Sequence, residues 1–156
     1  MSNDLRAHVM KQIGDALGLY LADLEAMSDE VLAQAPGGSA RSAYDMTYEV
    51  CHIHRRIAKR LKGEHLEPMD PSKGWMRAPE EFRNKTAAIT EMKESAAAMI
   101  AGLEAEADFN RAIPLPTGTT SPLDLASLAA VHLMYHDAQL NYIQSLNDDV
   151  AMHWGG

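Results

Sequence analysis

Apolar residues recur every three or four positions along four long stretches of the chain, the spacing that places side chains on one face of an α-helix. The boundaries of these stretches also suit helices. Gly63 follows the second stretch, Pro79 opens the third, and the fourth begins with Ser121 followed by Pro122, which are residues typical of helix ends. The predicted helices cover residues 3–27, 42–62, 79–106 and 121–147.

Irregular segments separate these predicted helices. Ser28 can cap a short helical turn before a linker over residues 35–41, which contains Pro36 and two glycines. Residues 64–79 contain three prolines and no helical period, and residues 108–120 form a second irregular connection without a β-hairpin signal. Four long helices with two long connections predict an all-α four-helix bundle, formed as one domain over residues 1–156.

Composition and charge narrow the class of protein. The chain is 46% hydrophobic and carries 14 basic against 22 acidic residues, a formal charge of −8, so a nucleic acid is not an expected partner. Cys51 is the single cysteine, which excludes an intramolecular disulfide. Neither a secretory leader nor an apolar run of about 20 residues is visible. We therefore expect a cytoplasmic protein that does not bind a membrane.

Two histidines interrupt the apolar face of the fourth helix, in the sequence "HLMYH". At about 100° per residue, His132, His136 and Gln139 share one direction with the leucines of this helix, whereas Asp137 and Asn141 fall on the opposite side. Two imidazoles at i and i+4 can reach one point and suit Zn, Ni, Fe or Cu. Hydrogen bonds from each histidine to a neighbouring helix are the structural alternative. The leucine and isoleucine positions of this face are Leu125, Leu128, Ile143 and Leu146.

The second helix offers candidates for a third ligand in the sequence "CHIHRR". The helical wheel places His54 at the edge of the apolar face and directs His52 away from it. Glu49 and Cys51 lie on the flanks, where either can act as a ligand or support one. The basic residues that follow suit the negative end of the helix dipole.

The combination of "CHIHRRIAKRLKGE" at residues 51–64 with "HLMYHDAQLNYI" at residues 132–143 resembles the DinB/YfiT-like superfamily. The resemblance implies an up-down-down-up four-helix bundle, often homodimeric, with three histidines from the second and fourth helices binding Ni or Zn. His132 and His136 match the paired histidines of the motif, and Gln139 matches the residue that follows them. The histidine ligand from the second helix is His54 according to the helical wheel, or His52 according to alignment with the family motif.

The resemblance also implies classes of function. The first class is a thiol-dependent S-transferase or isomerase, in which a divalent metal activates a low-molecular-weight thiol that joins a small-molecule substrate. Ni or Zn is the expected metal, and Fe or Mn is the alternative. Metal-dependent hydrolysis is the enzymatic alternative, and a non-catalytic, stress-associated binding or dimerisation module is the other. Catalytic residues are not identified by sequence alone. Gln139, Glu49 and Tyr135 are the expected supporting residues around the metal.

Overall fold

The computed structural model describes residues 3–154, in which four long helices are joined by a short helix, two 3₁₀ turns and a small antiparallel ribbon. The 3₁₀ turns lie at Pro71–Lys73 and Glu80–Phe82. Among residues 3–154, none of the helices is long and apolar enough to cross a membrane. The helices are α1 (Asn3–Ala26), α2 (Asp29–Ala33), α3 (Ala43–Leu61), α4 (Lys85–Glu104) and α5 (Pro122–Leu146), and the strands are β1 (Ile113–Leu115) and β2 (Gly118–Thr120).

The long helices pack in the cyclic order α1, α5, α3 and α4. The guanidinium of Arg6, at the start of α1, donates to the carbonyl of Glu104 at the end of α4, so these two helices are antiparallel. Helices α3 and α4 run in the same direction. Arg55 of α3 pairs with Glu91 of α4, and Leu61, further along α3, lies beside Gly102, further along α4. This arrangement is the predicted up-down-down-up four-helix bundle.

The buried Asp45 carboxylate caps the start of α3 and holds the long connection against this helix. Ser42 and Asp45 form a capping box at the start of α3, which satisfies two backbone donors of the first turn. The buried Asp45 carboxylate also accepts hydrogen bonds from Arg77 at 2.9 Å, Arg83 at 2.6 Å and the backbone N–H of Ala78 at 2.8 Å. The irregular segment after α3 is therefore fixed beside the first turns of that helix.

Two details of the predicted elements are wrong. The third helix begins at Lys85 and not at Pro79, because the Asn84 side chain accepts the Ala87 N–H at 2.8 Å and caps the helix there. Residues 108–120 contain the β1–β2 hairpin, where none was predicted. Its strands have only three residues each, and Gly118, the first residue of β2, adopts φ 117°, so period-two alternation is too short to recognise.

The inward face of α5 is also rotated relative to the predicted one. Leu128 and Leu146 are exposed, whereas Asp137 is buried and Leu133 and Leu140 lie at the centre of the buried face. On an ideal helix Leu133 lies roughly 100° from His132, so His132 occupies the edge of the core. The physical reason is that α5 packs against α1 on one side and α3 on the other, with buried alanines filling the close contacts: Ala126, Ala129 and Ala130.

Candidate metal centre

Three potential ligand atoms converge between α3 and α5. Nε2 of His132 and Nε2 of His136 lie 3.2 Å apart, and Oε1 of Glu49 lies 3.7 Å from the first nitrogen and 3.9 Å from the second. A triangle with these sides has a circumradius of about 2.1 Å, which matches a Zn–N bond and falls within the range of Zn–carboxylate bonds. A single cation can therefore contact all three atoms without movement of the helices, and the donor set fits a divalent metal.

Gln139 fixes the orientation of the His136 ring. Nδ1 of His136 donates to Oε1 of Gln139 over 2.7 Å, which leaves the lone pair of Nε2 directed at the convergence point. The Tyr135 ring packs edge-on against the same imidazole, with centroids 4.9 Å apart. Gln139 and Tyr135 therefore both contact the His136 imidazole, and their supporting roles stay predictions.

Arg41 orients the carboxylate of Glu49. This buried guanidinium forms an ion pair with Oε2 of Glu49, so that Oε1 faces the two imidazoles. The exposed Trp75 ring covers Arg41 from outside, with 4.7 Å between the guanidinium carbon and the ring centroid. The long connection between α3 and α4 therefore contributes to the metal centre through Trp75, and Arg41 is a supporting residue that sequence reasoning missed.

The protonation states of these side chains suit metal binding. Interaction with the His132 imidazole, followed by the Arg41 guanidinium, lowers the pKa of Glu49 to about 2. Burial, followed by the neighbouring His132, lowers the pKa of His136 to about 4. At neutral pH Glu49 is therefore a carboxylate and His136 a neutral imidazole, the forms in which these side chains coordinate cations.

The histidines of α3 occupy other positions. His54 is fully buried in the bundle, neither ring nitrogen has a hydrogen-bond partner among the described residues, and burial lowers its pKa to about 3. His52 lies in a groove between α3 and α4, on the side of Arg55 and Glu91. The ligand atoms that converge come from His132, His136 and Glu49. A ligand role for His54 or His52 stays a prediction.

Cys51 is not placed to act as a nucleophile. Its side chain is buried, and burial raises the pKa of the thiol to about 12. The thiol therefore remains protonated at neutral pH, and only a thiolate is an effective nucleophile or metal ligand. Cys51 therefore does not supply a reactive thiolate.

The access to the metal centre is on the side of His132. The His132 side chain is 16% exposed, compared with 12% for Glu49 and 1% for His136. Leu128 and Tyr135, which precede and follow His132 on the outer side of α5, are exposed. Solvent can thus reach the site past His132, while the core closes it behind His136.

Two histidines of α5 face a carboxylate of the neighbouring helix α3 inside a four-helix bundle. This fold and this set of side chains are those of a helical protein with a candidate metal-binding centre. The model of the DinB superfamily matches residues 12–140, and the chain belongs to this superfamily, as its histidine motif predicts. Its fold is similar to that of YfiT from Bacillus subtilis, with a TM-score of 0.78 and 13% sequence identity over 95% of this chain and 90% of that chain. YfiT is described as a probable metal-dependent hydrolase with an unusual four-helix bundle topology. No curated protein matches this chain.

Proposed function

We propose that this chain is a metal-dependent hydrolase in which Glu49, His132 and His136 bind one divalent cation. The observation that carries the proposal is the convergence of three ligand atoms around a point about 2.1 Å from each, a distance suited to zinc and similar cations. Two histidines and a glutamate also bind the zinc of several hydrolytic enzymes. Zn or Ni is the expected metal, with Fe or Mn as alternatives, since imidazole nitrogens favour these cations and a carboxylate accepts each of them.

The surrounding residues define the roles within the site. A divalent cation supplies a Lewis acid that polarises a carbonyl oxygen and yields a nucleophile from water at neutral pH. Glu49 contributes the negative charge of the ligand set, and Arg41 holds its carboxylate in one orientation. Gln139 fixes the His136 ring. His132 borders the exposed side, where the scissile group of a substrate would approach.

A thiol-dependent S-transferase or isomerase is the second candidate. A cation with two neutral imidazole ligands lowers the pKa of a bound thiol and orients its sulfur. The buried Cys51 favours an external source of that sulfur, because its own pKa is raised to about 12. In this case the substrate is an electrophile, and a low-molecular-weight thiol is the partner.

The ligand set is tested by metal content and affinity. Purified wild type and single variants are loaded with Zn²⁺ or Ni²⁺, and bound metal is measured by elemental analysis and calorimetric titration. Glu49→Gln and His132→Ala are expected to lose the metal and His52→Ala to retain it, while His65→Ala, at an exposed position, serves as the histidine control and retains it. If His54→Ala loses the metal and Glu49→Gln keeps it, the third ligand is His54 and the present assignment is wrong. Circular dichroism verifies that each variant is folded.

The reaction class is tested with the loaded protein. Hydrolysis of chromogenic esters and amides without added thiol, abolished in Glu49→Gln, supports the hydrolase. Consumption of an electrophile such as 1-chloro-2,4-dinitrobenzene only in the presence of a low-molecular-weight thiol supports the transferase instead. A fully loaded protein that turns over neither kind of substrate supports the non-catalytic binding module and contradicts both enzymatic proposals.

A further inference from the structure

A second concave site lies between α3 and α5, the two helices that carry the metal centre. This groove encloses about 350 Å³, a volume that can hold a small organic molecule. Its walls are mostly apolar and include Ile53 from α3, Leu125 and Leu128 from α5, and Met69 from the long connection. Leu128 and Met69 are about half exposed. The groove therefore presents apolar surface to solvent beside the metal centre.

Two guanidinium groups, those of Arg56 and Arg60, form the charged part of the same groove. Neither is paired with a carboxylate among the described residues, although the chain has a formal charge of −8. Arg56 donates to the backbone carbonyl of Glu67 at 2.7 Å, and no carboxylate lies among the lining residues. Two adjacent cations repel one another, and an anion placed between them removes that repulsion.

Stabilisation of the helix end does not account for the direction of these two side chains. Basic residues in the last turn of α3 suit the helix dipole wherever they point, and Lys59 fills that role from an exposed position. The carbonyl of Leu61, near the C-terminus of α3, accepts from Arg111 at 2.9 Å. Arg56 and Arg60 instead line a groove.

The groove begins about one helical turn from the metal centre on both helices. Glu49, Ile53, Arg56 and Arg60 follow one another at intervals of four, three and four residues, so they lie on one stripe of α3. Arg56 and Arg60 stand about 10 and 16 Å from Glu49 along the helix axis. On α5, which runs antiparallel to α3, Leu128 lies one turn before His132 and faces the same groove.

We propose that this groove binds a small amphipathic anion, a carboxylate or phosphate monoester with an apolar body. Its charged group contacts Arg56 and Arg60, and its apolar body lies against Ile53 and Leu128 with the far end directed to the metal centre. The orientation towards the metal rests on the proposed function, whereas binding in the groove is independent of it. The groove thereby selects which molecules present a group to Glu49, His132 and His136.

Binding is tested on the chelator-treated protein, so that metal ligation does not contribute. Octanoate and octyl phosphate are compared with 1-octanol and octyltrimethylammonium by calorimetry and by amide chemical shifts. The double variant Arg56→Gln/Arg60→Gln is expected to weaken binding of both anions by about tenfold or more, since charge-assisted hydrogen bonds are lost. Lys59→Gln removes one positive charge from the same helix end outside the groove and is expected to bind like wild type. Equal binding of octanoate and octyltrimethylammonium, or an unchanged double variant, would overturn the proposal.

Orientation is tested in the protein loaded with Mn²⁺, after its metal content has been measured. The terminal methyl protons of octanoate are expected to relax faster than the protons next to its carboxylate, because the methyl end lies nearer the cation. The reverse order would show that the carboxylate reaches the metal and would refute the assigned orientation. Failure of Mn²⁺ and of the other metals to bind would contradict the proposed function, while the groove is judged by the metal-free measurements.

Discussion

Replacement of Asp137 by asparagine tests the electrostatics of the bundle core. Asp137 is 1% exposed, and neither carboxyl oxygen has a hydrogen-bond partner among the described residues. The neighbouring Asp23 accepts hydrogen bonds from Asn141 at 2.6 Å, Trp154 at 2.7 Å and Gln144 at 3.3 Å. Burial, followed by this neighbouring carboxylate, raises the pKa of Asp137 from 3.8 to about 7.

The raised pKa gives a definite sign to the pH dependence of folding. As the pH rises above 3.8, the unfolded chain releases the Asp137 proton while the folded chain retains it up to about pH 7. Stability is therefore lost across this interval at about 1.4 kcal/mol per pH unit, at most roughly 4 kcal/mol in total. Above pH 7 both states are ionised and the loss is constant. Total stabilities are about 5–15 kcal/mol, so the effect is measurable.

Urea unfolding of the metal-free Asp137→Asn variant and of wild type between pH 4 and pH 7 measures this loss. Asparagine has nearly the same shape and no proton to release, so the variant is expected to gain stability relative to wild type by up to about 1.4 kcal/mol for each pH unit. Titration of His54 and His136 affects both proteins and cancels in the difference. Asp15→Asn, at an exposed position on α1, is the control and is expected to give a constant difference. Parallel pH profiles for Asp137→Asn and wild type would refute the raised pKa.

Three further predictions concern the surroundings of the core and the site. Trp154→Phe removes a 2.7 Å hydrogen bond to the Asp23 carboxylate and is expected to lower the free energy of unfolding by about 1.5–3 kcal/mol. Trp75→Phe is the control and is expected to leave the stability nearly unchanged. Equal melting temperatures for the two variants in thermal unfolding would contradict this prediction. Gln139→Ala is expected to reduce metal affinity by about 10- to 100-fold in calorimetric titration, and an unchanged affinity would exclude its supporting role. The expected homodimer would use exposed apolar side chains of α5, those of Val131, Met134, Tyr135 and Tyr142, so Val131→Glu should yield a monomer in light scattering; a monomeric wild type makes that expectation wrong.

The four long helices were predictable because each combines an apolar face with local start or stop residues. Ser42 and Ser121 lie in capping boxes of α3 and α5, and such caps depend only on residues three positions apart. The later start of α4 and the β1–β2 hairpin depend on weaker local signals. In both places a single residue, Asn84 or Gly118, sets the backbone conformation. Local chemistry thus predicts long elements more reliably than their exact ends.

The orientation of α5 could not be obtained from its own sequence. A wheel weighted by leucines places Leu128 inside and Asp137 outside, whereas the folded helix reverses both. Alanine contributes little to a hydrophobic pattern, yet Ala126 and Ala129 are fully buried where α5 meets its neighbours. The group that raises the pKa of Asp137, after burial itself, is Asp23, more than a hundred residues earlier in the chain. Buried polar pairs of this kind become visible only when the helices are assembled.

The choice between Glu49 and His54 illustrates the same limit at the metal centre. The two residues are five positions apart, which separates them by roughly 140° on a helix, so they lie towards opposite edges of the inward face of α3. A histidine is the more evident ligand in a sequence, and the wheel therefore favours His54. In the folded chain Arg41 lies before the first turn of α3, pairs with Glu49 and holds that carboxylate towards the two imidazoles. Because Arg41 lies outside the helical period, no pattern within α3 predicts its effect, and the rotation of α3 selects Glu49 as the residue that faces His132 and His136.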